Sequence, residues 1–151
     1  MGEQTRRSVG YDDEKAISAA ITGRTIAAID HEHHGDLQWS DEHRPSGGYS
    51  TLILTLDDGT KFVAQEADGG CACSNGCFSV EPSEGISRLI GATILNATVD
   101  EHKTDDYGDS AVIKLFVYVE GLTGAQELFS SEGTDNGYYG WGYHLFVEAA
   151  S

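Results

Sequence analysis

Residues 51–66 read TLILTLDDGTKFVAQE, and this stretch decides the fold. Two runs rich in apolar and β-branched residues flank the segment Asp57-Asp58-Gly59-Thr60, and an Asp-Gly pair between such runs is typical of a tight β-hairpin turn. The stretch therefore predicts one strand over 51–56, a turn, and a second strand over 61–66. Because the strands of a hairpin are antiparallel, the chain is expected to contain an antiparallel sheet.

The segments on either side of this hairpin predict further strands and two short helices. The helices are predicted over 15–22 and 84–91, with Gly23 following the first and Gly91 closing the second. The polar stretches 31–49 and 100–109 are predicted to be loops. Further strands are predicted over 25–30, 93–99, 111–120 and 143–148. In this interpretation residues 1–11 are a flexible N-terminal arm, and residues 12–151 form a single compact α+β domain, mainly of antiparallel β-sheet.

Two short segments resemble each other and indicate an internal repeat. Residues 21–26 read ITGRTI, and residues 89–94 read LIGATI. Each contains the end of a predicted helix, a glycine and the start of a predicted strand, and each is followed by a loop with histidine and acidic residues. The match indicates two related units, each a helix followed by antiparallel strands.

The composition fits a basic partner or a protein that imitates the charge of DNA. The 151 residues are the length of a single domain, and 25 acidic residues against 9 basic ones give a formal net charge of −16. Such a field repels the nucleic-acid backbone and anionic membranes, so we expect neither as a partner. A solvated acidic surface that promotes solubility, or a high-salt cytoplasm, accounts for the same composition.

The start of the chain and its hydropathy predict a cytosolic protein. Residues 2–7, GEQTRR, lack the apolar run of a signal peptide, and no apolar segment approaches the roughly 20 residues that cross a bilayer. The cysteines are clustered and odd in number, whereas small secreted domains usually distribute an even number to join distant loops.

Residues 69–77, GGCACSNGC, contain all three cysteines of the chain. The glycines permit turns through which thiolates can converge. Three thiols can share a zinc ion, form a disulfide or redox pair with one left over, or pack as small apolar groups. A zinc site needs a fourth ligand, and in an extended segment His31 and His33 point to the same side. The candidate metal ligands are Cys71, Cys73, Cys77, His31 and His33.

Residues 135–143, DNGYYGWGY, are the second candidate site. Aromatic rings among glycines make a flat surface that suits stacking on a ring or anchoring a protein partner. The pattern favours a hairpin, in which Asn136-Gly137 forms the turn and the aromatic residues cover the sheet, over such a binding surface. The candidate binding residues are Asn136, Tyr138, Tyr139 and Trp141.

The sequence identifies no catalytic residue. It contains no nucleophile elbow, no phosphate-binding glycine loop and no zinc-protease motif. The pair Asp57-Asp58 is explained by turn chemistry, and the acidic stretch 100–109 lacks the ligand spacing of a calcium-binding loop. We therefore expect a protein that is not an enzyme and has no certain cofactor, with zinc as the one candidate.

A combination of short motifs resembles a known family. The motifs are LTLDDGT at 54–60, a cysteine-bearing loop at 71–77, Leu89-Ile90-Gly91 with Ile94, and Asn136-Gly137-Tyr138-Tyr139. Together, over roughly residues 20–147, they resemble a family of small uncharacterised proteins of tailed bacteriophages, notably phages of actinobacteria. The family has adjacent cysteines followed by an acid, whereas here Ala72 and residues 74–76 separate the cysteines. The resemblance implies a phage origin and an α+β fold, and it implies no activity.

These observations favour one function and leave two alternatives. The favoured function is a non-enzymatic phage accessory protein in the cytoplasm of the infected host cell, which binds a host protein with a basic surface. The first alternative is a zinc-binding or redox protein centred on the cysteines at 71–77. The second is a small-molecule or nucleotide-binding module with an enclosed pocket lined by the aromatic residues and His31 or His33.

Overall fold

The computed structural model describes residues 6–35, 48–66, 78–103, 110–134 and 143–149. Within these ranges the chain forms nine strands, one α-helix and one 3₁₀ turn. The helix, α1, is Glu14–Ile21, and the 3₁₀ turn is Ile86–Leu89. The strands are β1 (Arg6–Val9), β2 (Ile26–Gly35), β3 (Gly48–Leu56), β4 (Lys61–Gln65), β5 (Glu81–Pro82), β6 (Ile94–Lys103), β7 (Ser110–Val119), β8 (Gln126–Thr134) and β9 (His144–Glu148).

The strands form two antiparallel sheets. One has the order β1-β9-β4-β3-β2, and the other has the order β5-β8-β7-β6. The prediction of a mainly antiparallel sheet is confirmed, but the second predicted helix is only the four-residue 3₁₀ turn. Pro82 belongs to β5, and Gly85 has a φ of +75°, so the residues before the turn do not extend it into an α-helix.

The predicted hairpin is formed by β3 and β4. Gly59 in its turn has a φ of +91°, a conformation that glycine adopts without steric penalty. The Thr60 amide donates to the Asp58 carboxylate at 2.9 Å and holds the turn closed. This hydrogen bond stabilises the charged form and lowers the pKa of the Asp58 carboxyl below its usual value.

Helix α1 begins and ends within one residue of its predicted bounds. The Asp13 carboxylate caps it by accepting the Ala16 amide at 3.1 Å. Ile17 and Ile21 are fully buried, so one face of the helix packs into the core. Gly23, with a φ of +84°, follows the helix and turns the chain toward β2.

Three predicted boundaries are corrected by strand pairing. The stretches predicted as loops, 31–49 and 100–109, contain strand residues, because β2 continues to Gly35 along β3 and β6 continues to Lys103 along β7. The arm predicted over 1–11 contains β1, which pairs with β9. Hydrogen bonds to a distant strand are not encoded in local polarity, and outermost strands accept polar side chains.

The two segments of the predicted repeat meet at one end of the molecule. Thr25 and Thr93 form an antiparallel bridge, and their hydroxyl groups are 2.9 Å apart. The hydrogen bonds around this pair are reciprocal: the amide of Gly23 donates to the carbonyl of Ile94, and the amide of Gly91 donates to that of Ile26, both at 2.7 Å. We call this part of the molecule the junction end.

The strands that leave the junction end are equivalent as well. Strand β2 pairs with β3 as β6 pairs with β7, and each ladder shifts its register directly after the first residue pair. The amides of Asp57 and Glu120, which follow β3 and β7, donate to the carbonyls of Thr25 and Thr93, both at 2.9 Å. The first pairs of the two ladders are Ile26 with Leu56 and Ile94 with Val119. The sequence repeat thus has a structural counterpart.

One buried apolar cluster joins both sheets and α1. Side chains that alternate along β3 and β7 point into it, as expected for sheets with one buried face. Fully buried members from the different elements are Ile17, Ile21, Ile26, Leu52, Leu89, Ile94, Ile113, Leu115 and Phe129. The described strands and helix therefore share a single core.

The strand ends that lie farthest from the junction are found together at the opposite end of the molecule. Helix α1 lies along β6, since Glu14 Oε2 accepts the Val99 amide at 2.7 Å and Ser18 donates to Asn96 Oδ1 at 2.8 Å. The antiparallel pairing makes β2, β4, β6 and β8 all run away from the junction end. They finish at Gly35, Gln65, Lys103 and Thr134. We call this part the loop end.

Candidate functional site

Most residues that the sequence predicts to be functional lie outside the described ranges. They are Cys71, Cys73, Cys77, Asn136, Tyr138, Tyr139 and Trp141. The described residues that flank them all belong to the loop end. The cysteine segment follows Glu66 and precedes Phe78, and the aromatic segment follows Thr134 and precedes Tyr143. The topology therefore brings the described residues on either side of both candidate segments to the same end of the molecule.

The two predicted histidine ligands lie in β2, close to the start of the cysteine segment. His31 is exposed and lies opposite Leu52, and His33 lies opposite Ser50. The amide of Glu66 donates to the carbonyl of Ser50 at 3.0 Å. The cysteine segment thus starts beside the β3 residue that pairs with His33.

The far side of the cysteine segment is attached to the second sheet. Phe78 forms a bridge with Gly133 near the end of β8. Glu66 Oε2 accepts the amide of Val80 at 3.2 Å, so the residues before and after the segment are joined directly. Among the described residues, no three His, Cys, Asp or Glu side chains are placed to hold a metal ion.

Tyr143, directly after the aromatic segment, is a buried anchor. Its ring packs edge-on against Phe129 at a centroid distance of 5.2 Å and tilted against Tyr11 at 5.7 Å. Its hydroxyl makes no hydrogen bond to any described residue. Burial raises the pKa of the Tyr143 phenol, and Tyr11 and the carboxylates of Asp12 and Glu101 raise it further. The phenol is therefore neutral at physiological pH.

Carboxylates at the start of α1 and at the end of β6 lie near this anchor, since Asp12 and Glu101 both act on the Tyr143 phenol. We define the acidic face as Asp12, Asp13, Glu14, Asp100 and Glu101. Its two parts come together where Glu14 binds the Val99 amide, immediately before Asp100. Lys103 lies 3.3 Å from Glu101, Lys114 lies opposite Asp100 in the β6–β7 ladder, and Lys15 follows Glu14, so five carboxylates lie near three ammonium groups.

A shallow groove lies beside the acidic face, between α1 and β6. It encloses about 480 Å³ and is lined by Glu14, Lys15, Ser18, Ala19, Thr22, Asn96, Ala97 and Thr98. Several of these polar groups bind each other, since Ser18 Oγ lies 2.9 Å from Thr22 Oγ1 and donates to Asn96. The groove contains neither His31 nor an aromatic ring, so it differs from the enclosed pocket predicted for a nucleotide-binding module.

The sequence does not indicate the acidic face as a unit. The acids before α1 have the pattern of helix-start signals, and those at 100–101 have the pattern of a solvated loop. The hydrogen bond that joins them, from the Val99 amide to Glu14, spans 85 positions, and no local pattern indicates it. The aromatic anchor formed by Tyr11 and Tyr143 was missed for the same reason.

The chain belongs to an uncharacterised domain family. The family described as a domain of unknown function, DUF7448, matches residues 19–145, from the last turn of α1 into β9. The searches of curated proteins and of solved structures found no match. In the described part of the chain, no helix is long and apolar enough to cross a membrane.

Proposed function

We propose that this protein is a non-enzymatic phage accessory protein that binds a basic surface of a host protein in the cytoplasm of the infected cell. One observation supports this most directly. Two members of the acidic face, Asp12 and Glu101, lie close to Tyr143, the first described residue after the aromatic segment 135–142. Clustered carboxylates beside aromatic residues are the combination that a basic partner requires, because charge steers the encounter and rings provide buried contact area.

The net charge of −16 supports the same proposal. A field of one sign raises the rate at which an oppositely charged partner arrives, and added salt screens it. Tyr138, Tyr139 and Trp141 are the proposed anchors, with Asn136 as a hydrogen-bonding neighbour. The acidic face would select the partner, and the anchors would slow its release.

The experiment compares two triple variants that remove the same charge. Asp12→Asn, Asp100→Asn and Glu101→Gln neutralise the acidic face, while Asp57→Asn, Glu84→Gln and Glu120→Gln neutralise exposed acids toward the junction end. The probe is a fluorescent lysine- and arginine-rich peptide, titrated at low and high salt. Three exposed charges at about 0.5 kcal/mol each predict about tenfold weaker binding for the first variant.

The control variant should bind within about twofold of the wild type at low salt, since its substitutions lie away from the face. Equal weakening of both variants would show that only the overall field matters. That result would overturn the assignment of binding to the acidic face.

A zinc-binding or redox protein is the second candidate, favoured by the hydrogen bond that places Glu66, which precedes the cysteine segment, beside Ser50, the strand partner of His33. Elemental analysis of the unreduced protein, with a free-thiol count, tests it. One zinc per chain that is lost in Cys73→Ser would support this candidate. Three free thiols without zinc would remove it.

A further inference from the structure

Strands β2 and β6 are equivalent outermost strands, but only β6 has its free edge covered by described residues. The amide of Val99 in β6 donates to Glu14 Oε2 at 2.7 Å, and Ser18 donates to Asn96 Oδ1 at 2.8 Å. Helix α1 therefore occupies the position in which another strand could pair with β6.

The register shows which backbone groups form the corresponding edge of β2. Val99 lies opposite Leu115, and its amide points to Glu14, away from β7. His31 lies opposite Leu52, at the equivalent position of the other ladder. The amide of His31 therefore points away from β3.

The hydrogen bonds at the start of β2 show independently that the His31 amide points away from β3. Ile26 donates its amide to the carbonyl of Ala92 at 3.0 Å and accepts the amide of Gly91 at 2.7 Å, both away from β3. The one-residue register shift after Ile26, followed by regular alternation, places the amides of Ile29 and His31 on that same side.

The counterpart of α1 in the second unit is too short to cover this edge. It is the 3₁₀ turn Ile86–Leu89, with four residues where α1 has eight. The residues at 81–82 are already paired with β8 as strand β5. Within the described ranges, no hydrogen bond reaches the backbone of His31 from outside its own sheet.

We propose that the free edge of β2, from Ile29 to His33, docks an extended basic segment of the partner protein, which joins the sheet as a further strand. This inference rests on the proposed function, from which it takes a partner with a basic surface. Main-chain hydrogen bonds to a sheet edge bind an extended segment of many sequences, and alternate side chains give selectivity.

Charge decides the occupant of this edge. Asp30 and Glu32 alternate with His31 along β2, so lysine or arginine residues at alternate positions of an added strand come to lie near carboxylates. A second copy of this chain would place like charges side by side, on a protein whose formal net charge is −16. A basic segment of a partner fits the edge better.

The probe that tests the proposal is a short peptide of alternating lysine and valine. His31→Pro removes the outward amide without removing a hydrogen bond to β3, because proline is tolerated where the amide faces away from the ladder. His31→Val, the matched control, keeps the amide and suits a strand. We expect about tenfold weaker binding for His31→Pro and a change within about twofold for His31→Val.

A second measurement keeps the test valid if His31→Pro does not fold. The same peptide with alternate amides N-methylated should bind the wild-type protein about tenfold more weakly. If both changes leave affinity unaltered, edge docking is refuted while binding by charge, and with it the proposed function, stands.

If a glutamate-valine peptide binds as tightly as the lysine-valine peptide, the proposed function itself fails. Sedimentation that shows a dimer broken by His31→Pro would assign the edge to a second copy and overturn the proposal.

Discussion

Strands β2 and β6 begin at the same junction and have the same register, yet they differ in what lies along their free edges. The eight-residue helix α1 lies along β6, while the equivalent position before β6 holds a four-residue 3₁₀ turn. The sequences explain this: residues 14–21 read EKAISAAI, whereas residues 82–89 read PSEGISRL, with a proline and a glycine. The comparison teaches that, among the described residues, helix length decides whether an otherwise equivalent strand edge is covered.

The largest expected effect tests whether the two halves are equivalent in the core. Ile21 and Leu89 occupy matching positions of the repeat, and both are 0% exposed. Ile21→Ala and Leu89→Ala should each lower the free energy of unfolding by about 2–5 kcal/mol, measured by urea denaturation. Leu122→Ala, at an exposed position, should change it by less than about 0.5 kcal/mol. A small effect for Leu89→Ala alone would show that the halves are not equivalent.

The next effect tests the junction. Gly23 and Gly91 have φ values of +84° and +93°, which residues with a Cβ adopt only with strain. Gly23→Ala and Gly91→Ala should each cost about 1–2 kcal/mol of stability, measured by thermal unfolding. Gly10→Ala is the control, because the φ of Gly10 lies outside the positive range and its added Cβ meets atoms no nearer than 3.5 Å. If one junction glycine tolerates alanine as well as Gly10 does, the reciprocal geometry is not required.

A smaller effect tests how α1 closes the edge of β6. Glu14→Ala removes the acceptor of the Val99 amide and should cost about 0.5–1.5 kcal/mol. Exchange of the Val99 amide should accelerate by about tenfold, while that of the His31 amide stays the same. Lys15→Ala, at the adjacent exposed position, should leave the exchange of both amides unchanged. Unaltered protection of Val99 in Glu14→Ala would mean that another group covers the edge.

The smallest effect tests the β3–β4 turn of the first half, which contains Asp58. The pKa of Asp58 is lowered by the hydrogen bond from Thr60, so the folded state favours the carboxylate. This contribution to stability is present above the ordinary carboxyl pKa of about 4. It is lost as the pH falls through the lowered pKa that Asp58 has in the folded state. Asp58→Asn should therefore reduce the loss of stability in acid, measured by urea denaturation over a series of pH values. An unchanged acid dependence would contradict the role of Asp58.

Local signals were sufficient for much of the fold. The Asp-Gly turn predicted the β3–β4 hairpin, and the acids and Gly23 predicted α1, because turn and capping chemistry acts within a few residues. Pairing between distant strands decided the rest, such as the continuation of β2 to Gly35. The signal against the second helix was present in Pro82 and Gly85.

The candidate site was less accessible to sequence reasoning. The histidines, the cysteine segment and the aromatic segment were found separately, and their flanking residues come together only through the topology. The acidic face depends on the contact between Glu14 and Val99, and the open edge depends on register. Neither property can be obtained from spacing along the chain.

Amide hydrogen exchange of Val99 and His31, measured by NMR with and without the lysine-valine peptide, tests the central claim most directly. The claim is that this acidic protein docks a basic segment on the edge of β2, which no described residue covers at His31, and not on the edge of β6, which α1 covers. We predict that Val99 is protected in both states, whereas His31 exchanges rapidly in the free protein and becomes protected on binding. Protection of His31 in the free protein, or no change on addition of saturating peptide, would contradict the claim.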